Sequence, residues 1–229
     1  MNEHLITPIA HIRSDFKEKF GIPRQSGRAP SLKSKIIFTE KFRKDEAIKN
    51  ITEFSHIWLI FGFSKCVKSD FSMTVRPPRL GGNKRVGVFA SRSPFRPNSL
   101  GLSSVKLEGI EKSDEGTCLI VSGADILDGS PIYDIKPYLP FTDSHPDAIG
   151  GYADGQRDYK LQVNISKNFL DRIDQAKRDG LIECLQDDPR PSYHNDSREY
   201  GMSFHDYEIK FFVCGDELTV TNIEKTKND

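Results

Sequence analysis

Short apolar segments alternate with polar stretches that contain glycine and proline from the N-terminus to about residue 140. Most of these segments are rich in β-branched or aromatic residues, which predicts strands. The predicted strands are residues 6–12, 35–38, 54–63, 86–90, 100–110, 117–122 and 131–138. One short helix is predicted among them, at 44–51, so strands and helices do not alternate as they do in a parallel sheet. The pattern therefore predicts a mainly β fold, an antiparallel barrel or sandwich.

Residues 54–63 form the most apolar of these segments, Phe-Ser-His-Ile-Trp-Leu-Ile-Phe-Gly-Phe. A short continuous apolar segment is typical of a central strand that is buried on both faces. We therefore expect Trp58 to lie in the core, and His56 to be a structural histidine rather than a catalytic base.

The pattern changes after residue 144. Residues 145–157 are rich in Gly, Pro, Asp and Ala, which indicates a boundary, and 161–165 alternate like a strand. Apolar residues at helical spacing over 168–185 predict one helix, capped by Asn168. Alternation on both sides of Gly215-Asp216 predicts a β-hairpin. We therefore expect two units, a β domain at 1–144 and a small C-terminal α+β appendage at 145–229 made of a helix and a hairpin.

Composition and residue spacing mainly exclude certain kinds of site and partner. The 229 residues carry 33 basic and 33 acidic side chains, so the overall charge gives no argument for a nucleic-acid partner. The four cysteines and six histidines do not have the spacing of a zinc site, and we expect neither a metal nor disulfides. No apolar run has the length of a membrane span and no signal peptide is evident, so we expect no membrane partner and a cytoplasmic location. Neither a Rossmann nor a Walker phosphate motif is present.

The charge is nevertheless segregated, because residues 71–107 contain no Asp or Glu. The cations of residues 74–101 are Arg76, Arg79, Lys84, Arg85, Arg92 and Arg96. Prolines at 77, 78, 94 and 97 stiffen the loops that carry them. Stiff loops with arginines are suited to bind phosphates, so this stretch predicts an anion or nucleic-acid site. The alternative is a solvated basic surface that keeps the protein soluble.

A second stretch with candidate chemistry is 131–138. In an extended chain Ile132, Asp134, Lys136 and Tyr138 point to one side, whereas the side chains between them point to the other. A carboxylate, an ammonium group and a phenol on one face are candidate catalytic groups. The alternative is an exposed strand face with an incidental ion pair.

Several motifs, in order, resemble the TrmO family, also called TsaA-like or YaeB-like. They are Arg-Pro-Pro-Arg-Leu-Gly-Gly-Asn at 76–83, Gly-Val-Phe-Ala-Ser-Arg-Ser-Pro-Phe-Arg-Pro-Asn at 87–98, Asp-Gly-Ser-Pro-Ile-Tyr-Asp-Ile-Lys-Pro-Tyr-Leu-Pro at 128–140 and Asp-Pro-Arg-Pro-Ser-Tyr at 188–193. The resemblance implies a single-sheet β-barrel, a homodimer and an S-adenosylmethionine-dependent tRNA methyltransferase. The implied reaction is methylation of N6 of threonylcarbamoyladenosine, beside the anticodon of threonine tRNA.

The resemblance also implies site residues. The cofactor-binding positions are Pro23, Arg24, Gln25, Phe63, Ser64, Arg92, Leu102, Asp125, Ile126, Leu127 and Asp128. At Ser64-Lys65 the chain differs from family members, which often have His-Gln there. We expect catalysis from Asp134, Lys136 and Tyr138, and tRNA phosphates on Arg76, Arg79, Lys84, Arg85 and Arg96. Two other functions are kept open: a non-catalytic RNA-binding β-barrel, and a small-molecule methyltransferase on the same fold.

Overall fold

A computed structural model describes residues 4–66, 71–77, 84–113, 116–156, 159–190 and 198–226. Its strands are β1 Ala10–Arg13, β2 Lys33–Phe38, β3 His56–Gly62, β4 Thr74–Val75, β5 Val86–Gly87, β6 Leu100–Ser113, β7 Gly116–Ser122, β8 Pro131–Pro137, β9 Gln162–Asn164, β10 Tyr200–Phe204, β11 Tyr207–Cys214 and β12 Glu217–Lys225. The α-helices are α1 Pro140–Asp143, α2 Lys167–Leu170 and α3 Gln175–Gln186. Short 3-10 helices span Glu40–Phe42, Asp45–Ile48, Ile51–Glu53, Val88–Ala90 and Gly151–Gln156.

Six strands form the larger sheet, in the order β1-β2-β7-β6-β3-β8. Each neighbouring pair is antiparallel, and β1 pairs with β8 as well as with β2, so the sheet closes on itself. The interior is filled by apolar side chains from alternate positions, among them Ile12, Ile36, Ile57, Leu59 and Leu119. The prediction of a mainly β, antiparallel fold is confirmed.

The prediction that β3 is buried on both faces is wrong. A sheet that closes on itself has one interior, so alternate residues of each strand must point outward. Leu59 is fully buried, whereas Trp58 next to it is half-buried on the outer face. The indole Nε1 of Trp58 donates a hydrogen bond to the Asp143 carboxylate at 2.9 Å. Trp58 therefore does not belong to the core.

Gly101 of β6 lies opposite Phe61 of β3. A methyl group at Gly101 would fall 2.6 Å from Phe61 Cε1, inside van der Waals contact. We expect Gly101→Ala to lower the free energy of unfolding by about 1–3 kcal/mol, because the buried ring must move. Gly201→Ala is the matched control: Gly201 also lies in a strand, its added methyl group would meet no atom within 4 Å, and its effect should stay within about 0.5 kcal/mol. Urea unfolding measures both, and equal effects would contradict the packing argument.

The smaller sheet has four strands in the order β10-β11-β12-β9, and the predicted hairpin appears as β11 and β12. Its apolar face packs with Leu181 and Leu185 of α3. The same core also contains Phe16, Ala29 and Leu32 from the N-terminal part of the chain. The two parts of the chain therefore share one apolar core.

The single helix predicted over 168–185 is wrong. The structure has two helices, α2 and α3, and Ser166 rather than Asn168 caps the first, since its side chain accepts a bond from the Phe169 N–H. Asp174, with a φ of −53° and a ψ of 131°, lies outside the helical region and stands at the N-cap of α3. The turn between the helices buries Ile173, which is 2% exposed. Burial of the Ile173 side chain therefore favours a turn here over the continuous helix that the apolar spacing predicts.

Two other predicted elements also differ from the structure. The strand expected at 86–90 ends at Gly87, and a 3-10 helix follows at Val88–Ala90. Phe89 there is 76% exposed, so the apolar run is not a buried strand. The helix expected at 44–51 consists of two 3-10 helices, Asp45–Ile48 and Ile51–Glu53. None of the helices among the described residues could span a membrane.

Candidate functional site

A cleft of about 750 Å³ lies at one end of the closed sheet, where β3 ends and β6 begins. Among the described residues, its walls come from five segments: the loop around Pro23–Gln25, β3 with the residues after it, the loop 92–98, the first residues of β6 and the segment 125–130. A cleft of this size is suited to a cofactor or small ligand. The described lining has an excess of positive charge, with Lys19, Arg24, Lys65, Arg92 and Arg96 against the carboxylate of Asp125.

Arg24 and Gln25 of the loop at Pro23–Gln25 both take part in hydrogen bonds. The Arg24 backbone N–H donates to Asp187 Oδ2 at 3.0 Å, and the Gln25 side-chain Nε2 donates to the Arg24 carbonyl at 2.6 Å. Arg92 Nη1 donates to Gln25 Oε1. The structure thus brings two of the segments that the sequence predicted for the cofactor into direct contact.

Asp125 supplies the negative group of the cleft. Ser103 Oγ donates to its Oδ1 at 2.6 Å. Burial raises the pKa of this carboxyl above its ordinary value of 3.8, although the bond from Ser103 and the nearby positive charge of Arg92 oppose the shift. The folded protein therefore holds a proton on Asp125 more tightly than the unfolded chain does.

This shift predicts a pH dependence of stability. Because the folded-state pKa is raised, the contribution of Asp125 to the free energy of unfolding should fall as the pH rises above 3.8 and through the folded-state pKa. Asp125→Asn has no such titration. Urea unfolding of both proteins between about pH 4 and pH 7 should show the wild type losing stability relative to the variant. A constant difference across this range would contradict burial as the dominant influence.

Aromatic and aliphatic side chains form the apolar part of the cleft. The rings of Phe61 and Phe63 meet edge to face, with centroids 5.1 Å apart. Leu102 is 58% exposed although it lies in a strand, because it faces the cleft from the outer side of β6. Trp58 lines the cleft in the same way from β3. These groups can pack against the flat or apolar portions of a bound molecule.

Most of the predicted cofactor positions line this cleft. They are Pro23, Arg24, Gln25, Phe63, Ser64, Arg92, Leu102, Asp125 and Leu127. Two do not. Ile126 is 1% exposed and packs in the interior of the closed sheet. Asp128 accepts a bond from the Ser14 N–H at 3.0 Å. Alternate side chains of this segment therefore face the cleft, and the other two point away from it.

The candidate catalytic residues lie beside the cleft rather than in it. Lys136 Nζ is 3.1 Å from Asp134 Oδ2, on the outer face of β8. The Tyr138 ring lies 5.6 Å from that of Trp58, and Trp58 pairs with Lys136 across the two strands. Trp58 therefore connects these groups to the cleft that it lines.

The prediction that Ile132 shares a face with Asp134 is wrong. The pairing of β3 with β8 shifts register between Ile60 and Phe61, so Ile60 lies opposite Asp134 and Phe61 opposite Ile132. This irregularity turns Ile132 inward, where it is fully buried. The side chains of 131–138 therefore do not alternate strictly between the two faces of the strand, because the bulge interrupts the alternation.

Trp58 is fixed in place by α1. Asp143 accepts hydrogen bonds from the Leu139 backbone N–H at 2.8 Å and from the Trp58 indole. These two bonds, that of Leu139 first, hold the pKa of the Asp143 carboxyl below its ordinary value of 3.8. An ionised Asp143 therefore anchors the indole at the edge of the cleft.

The predicted phosphate-binding cations that the structure describes lie in two separate places, the cleft and the small sheet of β4 and β5. Arg96 lines the cleft and donates from Nη1 to the Ser91 carbonyl at 3.1 Å. Arg76, Lys84 and Arg85 are exposed and adjoin the small sheet of β4 and β5. There Arg85 Nη1 donates to Thr74 Oγ1 at 3.2 Å. Arg79 lies outside the described residues.

Sequence reasoning missed several residues that the structure brings to this site. Lys19, Lys65 and Ser103 line the cleft, and Asp187 binds its loop from the far end of α3. A polar residue within an apolar strand, as at Ser103, is the one local signal among them. The described residues contain no group of three or more His, Cys, Asp or Glu side chains that could hold a metal ion.

Comparison with known proteins gives consistent matches over both parts of the chain. A family model described as the tRNA-methyltransferase O N-terminal domain matches residues 11–144, and one described as the TrmO C-terminal domain matches residues 158–226.

Individual relatives agree with the family models. The chain is 36% identical to the tRNA (adenine(37)-N6)-methyltransferase of Escherichia coli K12, over 98% of this chain and 99% of that protein. It is 39% identical to a putative S-adenosylmethionine-dependent methyltransferase, RcsF, of Pseudomonas aeruginosa, over 90% and 91% of the two chains. The crystal structure of TrmO from P. aeruginosa superposes with a TM-score of 0.79 at 33% identity, over 98% of both chains.

Proposed function

Because the chain belongs to the tRNA-methyltransferase O family, we propose that it transfers a methyl group from S-adenosylmethionine to N6 of threonylcarbamoyladenosine next to the anticodon of threonine tRNA. Its class, an S-adenosylmethionine-dependent tRNA methyltransferase, follows from the family and from relatives that carry this activity and cofactor in their names. The modified nucleoside is the finer part of the proposal, and the linked sequence motifs support it.

The cleft at the end of β3 is the observation that carries the proposal, because its residues fit this cofactor. An adenosine with an amino-acid tail needs apolar walls and a few fixed polar groups. Phe63, Leu102 and Leu127 supply the walls, and Gln25 and Asp125 supply polar groups that are themselves held by Arg92 and Ser103. When bound, S-adenosylmethionine supplies an electrophilic methyl group.

The acceptor needs activation, because the lone pair on N6 is delocalised into the purine and into the carbamoyl group. Asp134 can take the proton from N6. Lys136 Nζ, which lies 3.1 Å from Asp134 Oδ2, can stabilise the negative charge that develops on N6 and its carbamoyl group. Tyr138 beside Trp58 offers an aromatic surface on which an extruded base can stack. These roles place the acceptor on the outer face of β8, next to the cleft.

The phosphates of the tRNA are assigned to the exposed cations. Arg76, Lys84 and Arg85 adjoin the β4–β5 sheet, and Arg96 extends this charge to the cleft. Such contacts fix the position of the RNA and make its affinity fall with salt, whereas they carry little sequence information.

The proposal extends to domain organisation and assembly. We assign 1–144 to a cofactor-binding domain built on a single-sheet β-barrel, and 145–229 to an α+β C-terminal domain. The closed strand pairing and the ranges of the two family models support this division. The motif resemblance supports a homodimer, and sedimentation equilibrium would test it.

The decisive assay follows the methyl group. Purified protein should transfer tritium from methyl-labelled S-adenosylmethionine to tRNA from cells that lack this protein. Nucleoside mass spectrometry should then show threonylcarbamoyladenosine with one added methyl group. Unmodified tRNA transcripts serve as the control and should accept no label.

This assay, together with titrations of tRNA binding at several salt concentrations, separates the alternatives. A non-catalytic RNA-binding protein would bind tRNA without transferring label. A small-molecule methyltransferase would bind S-adenosylmethionine but show no affinity for tRNA that falls steeply with salt. Either result would overturn the proposed reaction.

A further inference from the structure

The cofactor loop at Pro23–Gln25 is bound by a carboxylate that lies 163 positions away in sequence. Asp187, directly after α3, is 4% exposed. Its Oδ2 accepts the Arg24 backbone N–H at 3.0 Å, and its Oδ1 accepts Arg28 Nε at 2.8 Å. Arg28 Nη2 also donates to the Tyr159 carbonyl at 2.9 Å. A buried carboxylate thus joins both ends of the 24–28 segment to the C-terminal part of the chain.

A second set of contacts holds the Arg24 side chain. Its Nη2 donates to the carbonyl oxygens of Asp188, at 3.4 Å, and of Arg190. These two residues are themselves locked, because Arg190 donates from Nε and Nη2 to the Asp188 carboxylate at 2.9 and 3.0 Å. Asp188 has a φ of 52°, an uncommon conformation for a residue other than glycine that surrounding contacts must maintain. The carbonyls that receive Arg24 are therefore fixed.

From Arg24 the contacts continue into the cleft. The Gln25 amide donates to the Arg24 carbonyl at 2.6 Å, and its oxygen accepts from Arg92. A shift of Arg24 therefore displaces both Gln25 and Arg92, which line the cleft. Since Arg24 is bound by the C-terminal part, the geometry of the cleft depends on that part.

From these contacts we infer that Asp187, supported by the Asp188–Arg190 pair, is a positioning residue for the cofactor cleft. It touches neither cofactor nor substrate in this role; it holds the Pro23–Gln25 loop in the binding conformation. Preformed loops bind more tightly because ordering them costs no further entropy. The consequence is an effect on cofactor affinity and KM rather than on kcat. The identity of the ligand rests on the proposed function, whereas the ordering of the loop does not.

A matched control exists in the same part of the chain. Lys177 of α3 makes a bidentate ion pair with Asp15, at 2.8 and 2.6 Å, and Asp15 is 5% exposed. This pair also joins α3 to the N-terminal part, but neither residue lines the cleft. Lys177→Ala should therefore destabilise the protein without disturbing the loop.

The test compares full-length Asp187→Ala and Lys177→Ala with the wild type. Calorimetric titration with S-adenosylmethionine should give a Kd about tenfold higher in Asp187→Ala than in the wild type, equivalent to about 1.4 kcal/mol. In Lys177→Ala the Kd should stay within about twofold of the wild-type value. The KM for S-adenosylmethionine should rise in parallel in Asp187→Ala, and its kcat should stay within about twofold of the wild-type value. Hydrogen exchange of the peptide that covers 22–26 should accelerate only in Asp187→Ala.

Several results would overturn the inference. An unchanged Kd in Asp187→Ala would do so, as would an equal loss of affinity in both variants, which would indicate general destabilisation. If Asp187→Ala does not fold, Asp187→Asn keeps the shape and should show the same changes at smaller amplitude. If the wild type binds no S-adenosylmethionine, the proposed function fails, but hydrogen exchange at 22–26 still tests the positioning role. Faster exchange in Asp187→Ala alone supports that role, and unchanged exchange in this variant rules it out.

Discussion

Asp134→Asn is expected to lower kcat for methyl transfer by about a hundredfold or more, with the Kd for S-adenosylmethionine within about twofold of the wild type. The carboxylate is the group that the proposed mechanism needs as a proton acceptor, and asparagine cannot take the proton. Affinity should be retained because Asp134 lies on the outer face of β8 and not among the residues that line the cleft. Steady-state assays measure kcat and calorimetric titration measures the Kd.

The chain offers a close control for this substitution. Lys106 and Glu108 of β6 are two residues apart in sequence, as Asp134 and Lys136 are, and they form an ion pair of 2.9 Å on the same closed sheet. Neither residue lines the cleft, so Glu108→Gln should leave kcat unchanged. Equal activity of the two variants would remove the β8 face from the mechanism. Tyr138→Phe tests the adjoining residue and should lower kcat less if stacking, rather than the hydroxyl, is its contribution.

Arg190→Ala is expected to lower the free energy of unfolding by about 3–5 kcal/mol, because it leaves the Asp188 carboxylate buried without its ionic partner. The two side chains are only 10% and 12% exposed. The loss is a large fraction of the 5–15 kcal/mol by which a typical domain of about this size is stable. Urea unfolding monitored by circular dichroism measures it.

An exposed ion pair provides the comparison. Lys35 and Glu111 on the larger sheet are each 45% exposed, so water competes with their attraction. Lys35→Ala should therefore lower the free energy of unfolding by less than about 1 kcal/mol. If the two substitutions had similar effects, burial would not be what gives the Asp188–Arg190 pair its importance.

Local patterns were sufficient for much of the fold. The strands β2 and β7 follow from short apolar segments rich in β-branched residues, whereas β6 and the β11–β12 hairpin follow from alternation every second residue. Both signals depend only on neighbours in sequence. The basic stretch was also visible, because charge segregation is a property of the chain itself. The positions around the cleft, by contrast, came from the motif resemblance.

Where the same patterns failed, a distant part of the chain was responsible. The pattern predicts Trp58 in the core because its neighbours are apolar, yet closure of the sheet turns it outward. The bulge opposite Phe61 moved Ile132 away from Asp134, and burial of Ile173 divided a periodic helix in two. Periodicity assigns side chains to faces, but it does not say which face the fold will bury.

The sequence alone therefore determined the class of the fold, the order of its strands along the chain and the segregation of its positive charge, since each depends on residues close together in the chain. Only the tertiary structure decided which side chains meet at the cleft. Asp187 and Arg24 are 163 positions apart, and Arg92 and Gln25 are 67 apart. Contacts of this kind arise when the sheet closes and α3 packs against the N-terminal segment, and no local pattern encodes them.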